Sequence, residues 1–372
     1  MGDRSGNASC CLAEQWTFSF IAEVIIEPVV CLYGVVGNCL AVAIFLRNGK
    51  SCASNGYYLA ALAMCDIGLL VTNILFSTVR EVAVLTGNLW LARSWMHCGQ
   101  LMYYLAHTFR ISGDYLTIVV TLERYLYSYH SKASKLNCLT RRSIMCSFVV
   151  ISLCACLKLP KYFELERFGD PSNSTLARHF AYPSALGQNK TYAIIYIVWL
   201  STFCDIVIPF LTLLFMNIAL TTKYLRQSRG KDFDSYSCLT IRPIVERIQH
   251  RIRERKKRES HALLIGIVCL FLVCNVPLFI LTLVDVFHKP WLLRHQEFYA
   301  NAAIVVSLMV NINSAMNFTV YCFVGPKFRK QVFELILSSC SKLRSCNLLL
   351  TLKQSTVNLT TAIGDMKIYY QP

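Results

Sequence analysis

Charge is scarce in this chain of 372 residues, of which only 16% are Asp, Glu, Lys or Arg, where soluble chains carry about a quarter. Acidic residues are the scarcer sign, 21 against 37 Lys and Arg, and the formal charge is +16. With 55% hydrophobic residues a disordered chain is excluded. The first twenty residues hold Asp3, Arg4 and Glu14 and lack a basic start before an apolar core, so no cleaved signal peptide is expected. Ten-residue segments of alternating polarity are missing, which excludes a membrane barrel. The 18 Cys show no zinc-like spacing, and the chain is too long for a disulfide scaffold. No metal-ligand pair, nucleophile elbow or phosphate loop is found, so the chain is not expected to be an enzyme or to need an organic cofactor.

What is present is long apolar runs. A hydrocarbon core of about 30 Å needs about 20 apolar residues, and seven such runs occur near 20–46, 57–80, 97–122, 143–163, 192–220, 261–286 and 298–323. The expected fold is an all-α membrane protein, a seven-helix bundle over 20–323 between an outer N-terminus (1–19) and a cytoplasmic tail (339–372). Residues 324–338 carry Phe328, Val332, Phe333 and Ile336 at helical spacing with Lys327, Arg329 and Lys330 between them, and read as an amphipathic helix on the membrane surface.

Basic residues decide the orientation, because cytoplasmic loops retain them. With the N-terminus outside, 26 of the 37 Lys and Arg fall inside and ten outside, Lys158 and Lys161 among the ten, while Arg110 lies within the third run. The positive charge therefore records topology, and no nucleic-acid partner is expected. Sequons at Asn7, Asn173 and Asn189 all fall on outer segments, as glycosylation requires. The matches at Asn317 and Asn358 are read as chance. The run from Arg251 to Arg258, Arg-Ile-Arg-Glu-Arg-Lys-Lys-Arg, suits anionic lipid headgroups or an inward extension of the sixth helix.

Ionisable and amide groups inside a span face the bundle interior and often mark function. In order along the chain stand Gly37-Asn38, Leu62-Ala63-Met-Cys-Asp66, Glu123-Arg124-Tyr125, Pro209, Cys274-Asn-Val-Pro277, Asn317-Phe-Thr-Val-Tyr321 and Phe328-Arg329. Seven short motifs in this order along a chain of seven runs resemble the rhodopsin-like G-protein-coupled receptors over residues 20–338. The resemblance implies that Glu123 pairs with Arg124 at rest, that Arg124 swings free to meet a heterotrimeric G protein, and that Tyr125, Asn317 and Tyr321 take part in activation. Pro277 removes a backbone donor and is expected to kink the sixth helix. Arrestin, a receptor kinase and membrane lipids are further partners the resemblance implies. Asp66 with Asn38, Asn313 and Asn317 resembles the family's water and sodium cluster, although the usual serine is Gly113. The customary Trp two residues before Pro277 is Asn275, and the customary proline after Asn317 is Phe318.

Three departures narrow the ligand. The seventh-run position of the retinal lysine is Asn311, and the third-run position of the amine receptors' aspartate is Ala106. No Leu-rich or Cys-rich ectodomain stands before residue 20 to receive a large glycoprotein. Tyr115 to Tyr125, Leu159-Pro-Lys-Tyr-Phe-Glu164 and Asn313 to Cys322 resemble the invertebrate FMRFamide-type neuropeptide receptors. The implied ligand is an amidated peptide, held by Tyr103, His107, Arg110, Glu164, Asp205, Phe279 and Asp285, with Tyr104 nearby. Glu23, Glu27 and Glu81 also lie at the outer ends, where the plainer reading for Glu23 and Glu27 is a solvated helix-end charge. Arg110 and Asp114, four apart on one helix, either pair with each other or receive a ligand carboxyl, and Asp205 competes for Arg110. Residues 157–203 contain no Cys, so the family's usual bridge from Cys98 lacks its partner, and Cys10 or Cys11 is the remaining choice outside. Cys340 and Cys346 suit palmitoylation. A non-peptide ligand remains an alternative, as does a small-solute transporter, though neither internal repeats nor Gly-interrupted paired helices are seen.

Overall fold

A computed structural model describes residues 18–48, 55–129, 140–167, 181–237, 266, 269–284, 288, 291, 294–325 and 328–338. The chain divides into two units, Met1–Val324 and Gly325–Pro372.

The described residues of the first unit are almost wholly helical. Phe20–Ile26, wound as a π-helix, runs into α1 (Glu27–Asn48). α2 (Asn55–Asn73) continues through a π-turn into α3 (Val79–Thr86), which ends at Gly87 in the left-handed conformation, φ 63°. Only a residue without Cβ takes that backbone at no steric cost. Asn88 then caps α4, its Oδ1 accepting the Trp90 and Leu91 amides at 3.0 and 3.3 Å. α4 (Leu89–Tyr129) is 41 residues long, and α5 is Thr140–Glu164. A π-wound segment from Ala193 leads into α6 (Ile208–Ser237). α7 (Cys269–Val284) and α8 (Gln296–Val324) complete this unit. In the second unit, residues 328–338 are helical.

Among the described residues, five helices are long and apolar enough to cross a membrane: Phe20–Arg47, Gly56–Thr86, Arg141–Glu164, Lys190–Lys223 and Gln296–Phe323. α4 exceeds its expected limits of 97–122 at both ends. The distribution of side chains is inverted relative to a soluble bundle. Val36 is 61% exposed, Phe148 71%, Trp199 63% and Phe323 77%, while Asn38, Ser112 and Asn311 are fully buried and Asp66 is 4% exposed. Apolar groups outside and hydrogen-bonding groups inside is the arrangement a lipid solvent imposes.

Small residues set how closely the helices approach. A Cβ on Gly34 would stand 2.5 Å from the Leu70 side chain and 2.7 Å from that of Ala315, and one on Gly68 would stand 2.7 Å from the Phe109 ring. One on Gly37 would stand 2.8 Å from the ring of Phe318. The aromatic that replaces the family's proline in α8 thus fills the space left by the glycine of the Gly37-Asn38 pair in α1.

An antiparallel hairpin, β1 (Leu165–Arg167) with β2 (Ala181–Pro183), follows α5, with Glu166 opposite Tyr182. The sequence pattern does not reveal it, because three-residue strands are too short to show alternation. Gln100 Nε2 in α4 donates to the Leu165 carbonyl at 2.5 Å and fixes the near strand.

Candidate functional site

Two polar levels are built inside the first unit. At the deeper level Asp66 in α2 accepts from Asn317 Nδ2 in α8 at 2.8 Å. Asn38 in α1 donates to the carbonyls of Gly34 and Ser314 at 3.0 and 3.1 Å, so three helices are tied by side chains the sequence had grouped. Asn313 lines the same cavity as Asp66, along with Arg110, Asp114, Asn275 and Ser314. The cavity holds about 20 Å³, room for one or two water-sized guests.

The resemblance implies a sodium ion here, and the residues present fit it poorly. Position 113 is glycine and supplies no side-chain oxygen. One Asp66 oxygen already accepts from Asn317, and Asn38 turns its nitrogen toward two carbonyls. The Arg110 guanidinium occupies the cavity wall, and a fixed positive charge opposes a second cation most strongly where water is excluded.

Arg110 does not make the ion pair expected of it. Its Nη2 donates to Asn275 Oδ1 of α7 at 3.4 Å, and it forms no ion pair with Asp114 or Asp205 among the described residues. Asp114 is 7% exposed and its Oδ2 has no hydrogen-bond partner. Asp205 is taken by another cation: Lys158 Nζ of α5 lies 2.6 Å from Asp205 Oδ2 and 2.7 Å from Ser201 Oγ. Ser201 Oγ in turn donates to the same carboxylate at 3.0 Å.

Lys158 and Lys161 are therefore not outer-loop residues. They are 1% and 7% exposed within α5, and removing them from the outer tally sharpens the inward excess of basic charge. Both fall within the apolar run 143–163, and that position inside a span was the signal available. Lys161 Nζ reaches Glu164 Oε2 at 2.8 Å and stands over the Tyr103 ring at 5.7 Å. Glu164 also accepts from Tyr103 at 3.3 Å and from Tyr192 at 2.8 Å. It is thus a buried junction of α4, α5 and the segment leading into α6, where the sequence had suggested an open acid at the cavity mouth.

Three further carboxylates are buried, two of them, Glu23 and Glu27, where solvated ends were expected. Glu27, 3% exposed, accepts from Asn311 Nδ2 at 2.9 Å, and Asn311 accepts from Asn73. Glu23 pairs with Arg80 at 3.1 Å, and Glu81 accepts from Ser19 Oγ at 3.2 Å. Helix positions alone do not tell that Asn311 of α8, Arg80 of α3 and Ser19 come to these groups.

The other expected ligand residues are partly assembled. Tyr103 and His107 meet edge to face at 4.6 Å, and His107 shares a cleft with Arg110, Ile111, Asp114 and Asp205. Phe279 is half-buried in α7. Tyr104 points elsewhere, donating to the Ala155 carbonyl of α5 at 3.2 Å. Asp285, Asn7, Asn173, Cys340 and Cys346 lie outside the described residues, as does the side chain of Arg124, and with it the expected Glu123–Arg124 pair. Glu123 and Tyr125 occupy the last turns of α4. Pro277 lies within α7. Tyr321 is 2% exposed, its ring meeting Phe45 at 5.3 Å. Asn189 is exposed and caps a helical turn through its Oδ1. Cys98 is exposed and unbonded, and Cys10 and Cys11 lie outside the described residues.

A helical bundle with apolar outer faces and a polar interior joined from α1 to α8 is the architecture of a helical membrane protein. Residues 37–321 match the family model of the 7 transmembrane receptor (rhodopsin family), and the chain belongs to that family. It is 25% identical over 316 residues to a protein of Drosophila melanogaster named FMRFamide receptor, covering 83% of this chain and 52% of that one. It is 22% identical to the substance-P receptor of Aquarana catesbeiana, with 82% and 69% covered. The somatostatin receptor type 3 of Rattus norvegicus is 24% identical, with 85% and 68% covered. The chain thus spans about half the length of the Drosophila relative and somewhat over two thirds of the other two.

Proposed function

We propose that this chain is a plasma-membrane receptor for an amidated, FMRFamide-like neuropeptide and that it activates heterotrimeric G proteins. The observation that carries the reading is the extended similarity to a Drosophila FMRFamide receptor over most of the chain, with other peptide receptors beside it. Seven helices cross the bilayer with the N-terminus outside and the C-terminus inside, the orientation supported by the inward bias of Lys and Arg. Residues 328–338 lie on the inner membrane surface, with Cys340 and Cys346 as palmitate acceptors. Arrestin and a receptor kinase act on the cytoplasmic face.

The peptide enters between the outer ends of α4, α5, α6 and α7, toward Tyr103, His107, Arg110, Glu164, Asp205, Phe279 and Asp285. Glu164 and Asp205 each already hold a lysine. A cationic ligand group must therefore exchange with Lys161 or Lys158, and the ligand's binding energy is spent partly on that exchange. The inner half of α7 then pivots near Pro277, and Arg124 receives the G protein. Binding favours the open state only to the extent that the peptide prefers it.

The test is a screen of amidated peptides on cells expressing the chain, read by second messengers. An amidated peptide that acts where its free acid does not supports the reading. Silence across amidated peptides at normal surface expression contradicts it.

A further inference from the structure

The central cavity holds more charge than the family's motif requires. Asp66 and Asp114 both line it, and so does Arg110, one turn before Asp114 on α4. Asp114 is buried with Oδ2 lacking a hydrogen-bond partner. Arg110 is bound only by the long contact to Asn275 and forms no ion pair among the described residues. Arg110 and Asp114 also line the adjoining cleft toward His107 and Asp205, so the guanidinium stands between the ligand level and the carboxylate level. Lys158 is not available to the deeper level, because Asp205 and Ser201 hold it.

We propose that Arg110 is the permanent counter-cation of the Asp66–Asp114 cavity, supplying from within the chain the charge that a sodium ion would otherwise bring. An always-charged guanidinium lining the same small cavity as two carboxylates offsets the negative potential that would draw in a free cation. Gly113 is consistent with this: no oxygen is needed there for an ion. A side chain would nonetheless fit, since a Cβ at Gly113 meets Leu62 at 3.6 Å and Asp66 Oδ1 at 4.0 Å, both ordinary contacts. The contact to Asn275, two residues before Pro277, ties this internal cation to α7. The consequence is a receptor whose resting state does not depend on extracellular sodium. The inference is independent of the peptide reading, since its test uses no peptide.

The experiment measures thermal unfolding of the purified full-length receptor in about 150 mM NaCl and in choline chloride of equal ionic strength. The wild type is expected to unfold at the same temperature in both salts. Arg110→Gln, which removes the charge and keeps a polar side chain, is expected to gain about 2–4 °C in sodium over choline. Gly113→Ser with Arg110 retained is expected to remain indifferent to sodium, and it keeps the proposal testable if Arg110→Gln does not fold. Sodium stabilisation of the wild type or of Gly113→Ser overturns the proposal. So does a folded Arg110→Gln that stays indifferent.

Discussion

The Lys158 ammonium stands 2.6 Å from the Asp205 carboxylate, and the lysine is only 1% exposed, so α5 and the π-wound segment leading into α6 are joined by an ion pair within the apolar span. Breaking such a pair strands one charge, whereas removing both does not. Lys158→Met and Asp205→Asn are each expected to cost about 3–5 kcal/mol. Lys158→Met/Asp205→Leu is expected to recover most of it. Thermal or denaturant unfolding in detergent checks the cycle, and additive losses in the double variant would show that the two groups do not act as a pair.

Phe318 and Gly37 form a steric pair of a different kind. A Cβ on residue 37 would lie 2.8 Å from the ring, and overpacking of this sort costs about 1–3 kcal/mol. Gly37→Ala is expected to lower the unfolding temperature and surface expression, and Phe318→Leu to restore both in the double variant. Equal expression of Gly37→Ala and wild type would show that α1 and α8 are not in contact there.

Glu164 gathers Lys161, Tyr103 and Tyr192, and Gln100 holds the neighbouring Leu165 carbonyl. These polar ties fasten the β1–β2 hairpin where residues 157–203 offer no cysteine for a bridge. Glu164→Ala leaves a buried lysine unpaired and is expected to destabilise the protein by about 3 kcal/mol and to weaken peptide potency. Cys98→Ser is expected to change both less. A larger loss from Cys98→Ser, measured by surface expression and dose-response curves, would show instead that a disulfide to the N-terminal segment holds the outer face.

The helices were legible in the sequence because lipid demands runs of apolar residues, and a run does not depend on what lies opposite it. Asp66, Asn38, Asn313 and Asn317 were legible as a group because the family's motifs name them. The partners of Glu27, Glu164 and Asp205 were not. Each lies on another helix, Asn311 being 284 residues from Glu27, and no local pattern carries that distance. Lys158 and Lys161 were misplaced for a related reason. A lysine near the end of a run reads as a loop residue until its acid is seen beside it, and the long side chain permits either placement. The hairpin after α5 left no period to detect. Phe318 was visible as a departure from the motif, yet its cause, the missing side chain of Gly37, belongs to the other end of the chain.

The central claim is that an amidated peptide drives this receptor to engage a G protein through Arg124. Its most direct measurement is the rate of nucleotide exchange on a heterotrimeric G protein reconstituted with the purified full-length chain in lipid discs. Amidated FMRFamide-like peptides are to be compared with their free acids, and wild type with Arg124→Ala. The account predicts acceleration by an amidated peptide, a much smaller effect of its free acid, and loss of acceleration in Arg124→Ala. Acceleration that survives Arg124→Ala, or none from any amidated peptide on a receptor shown folded by its unfolding transition, would contradict it.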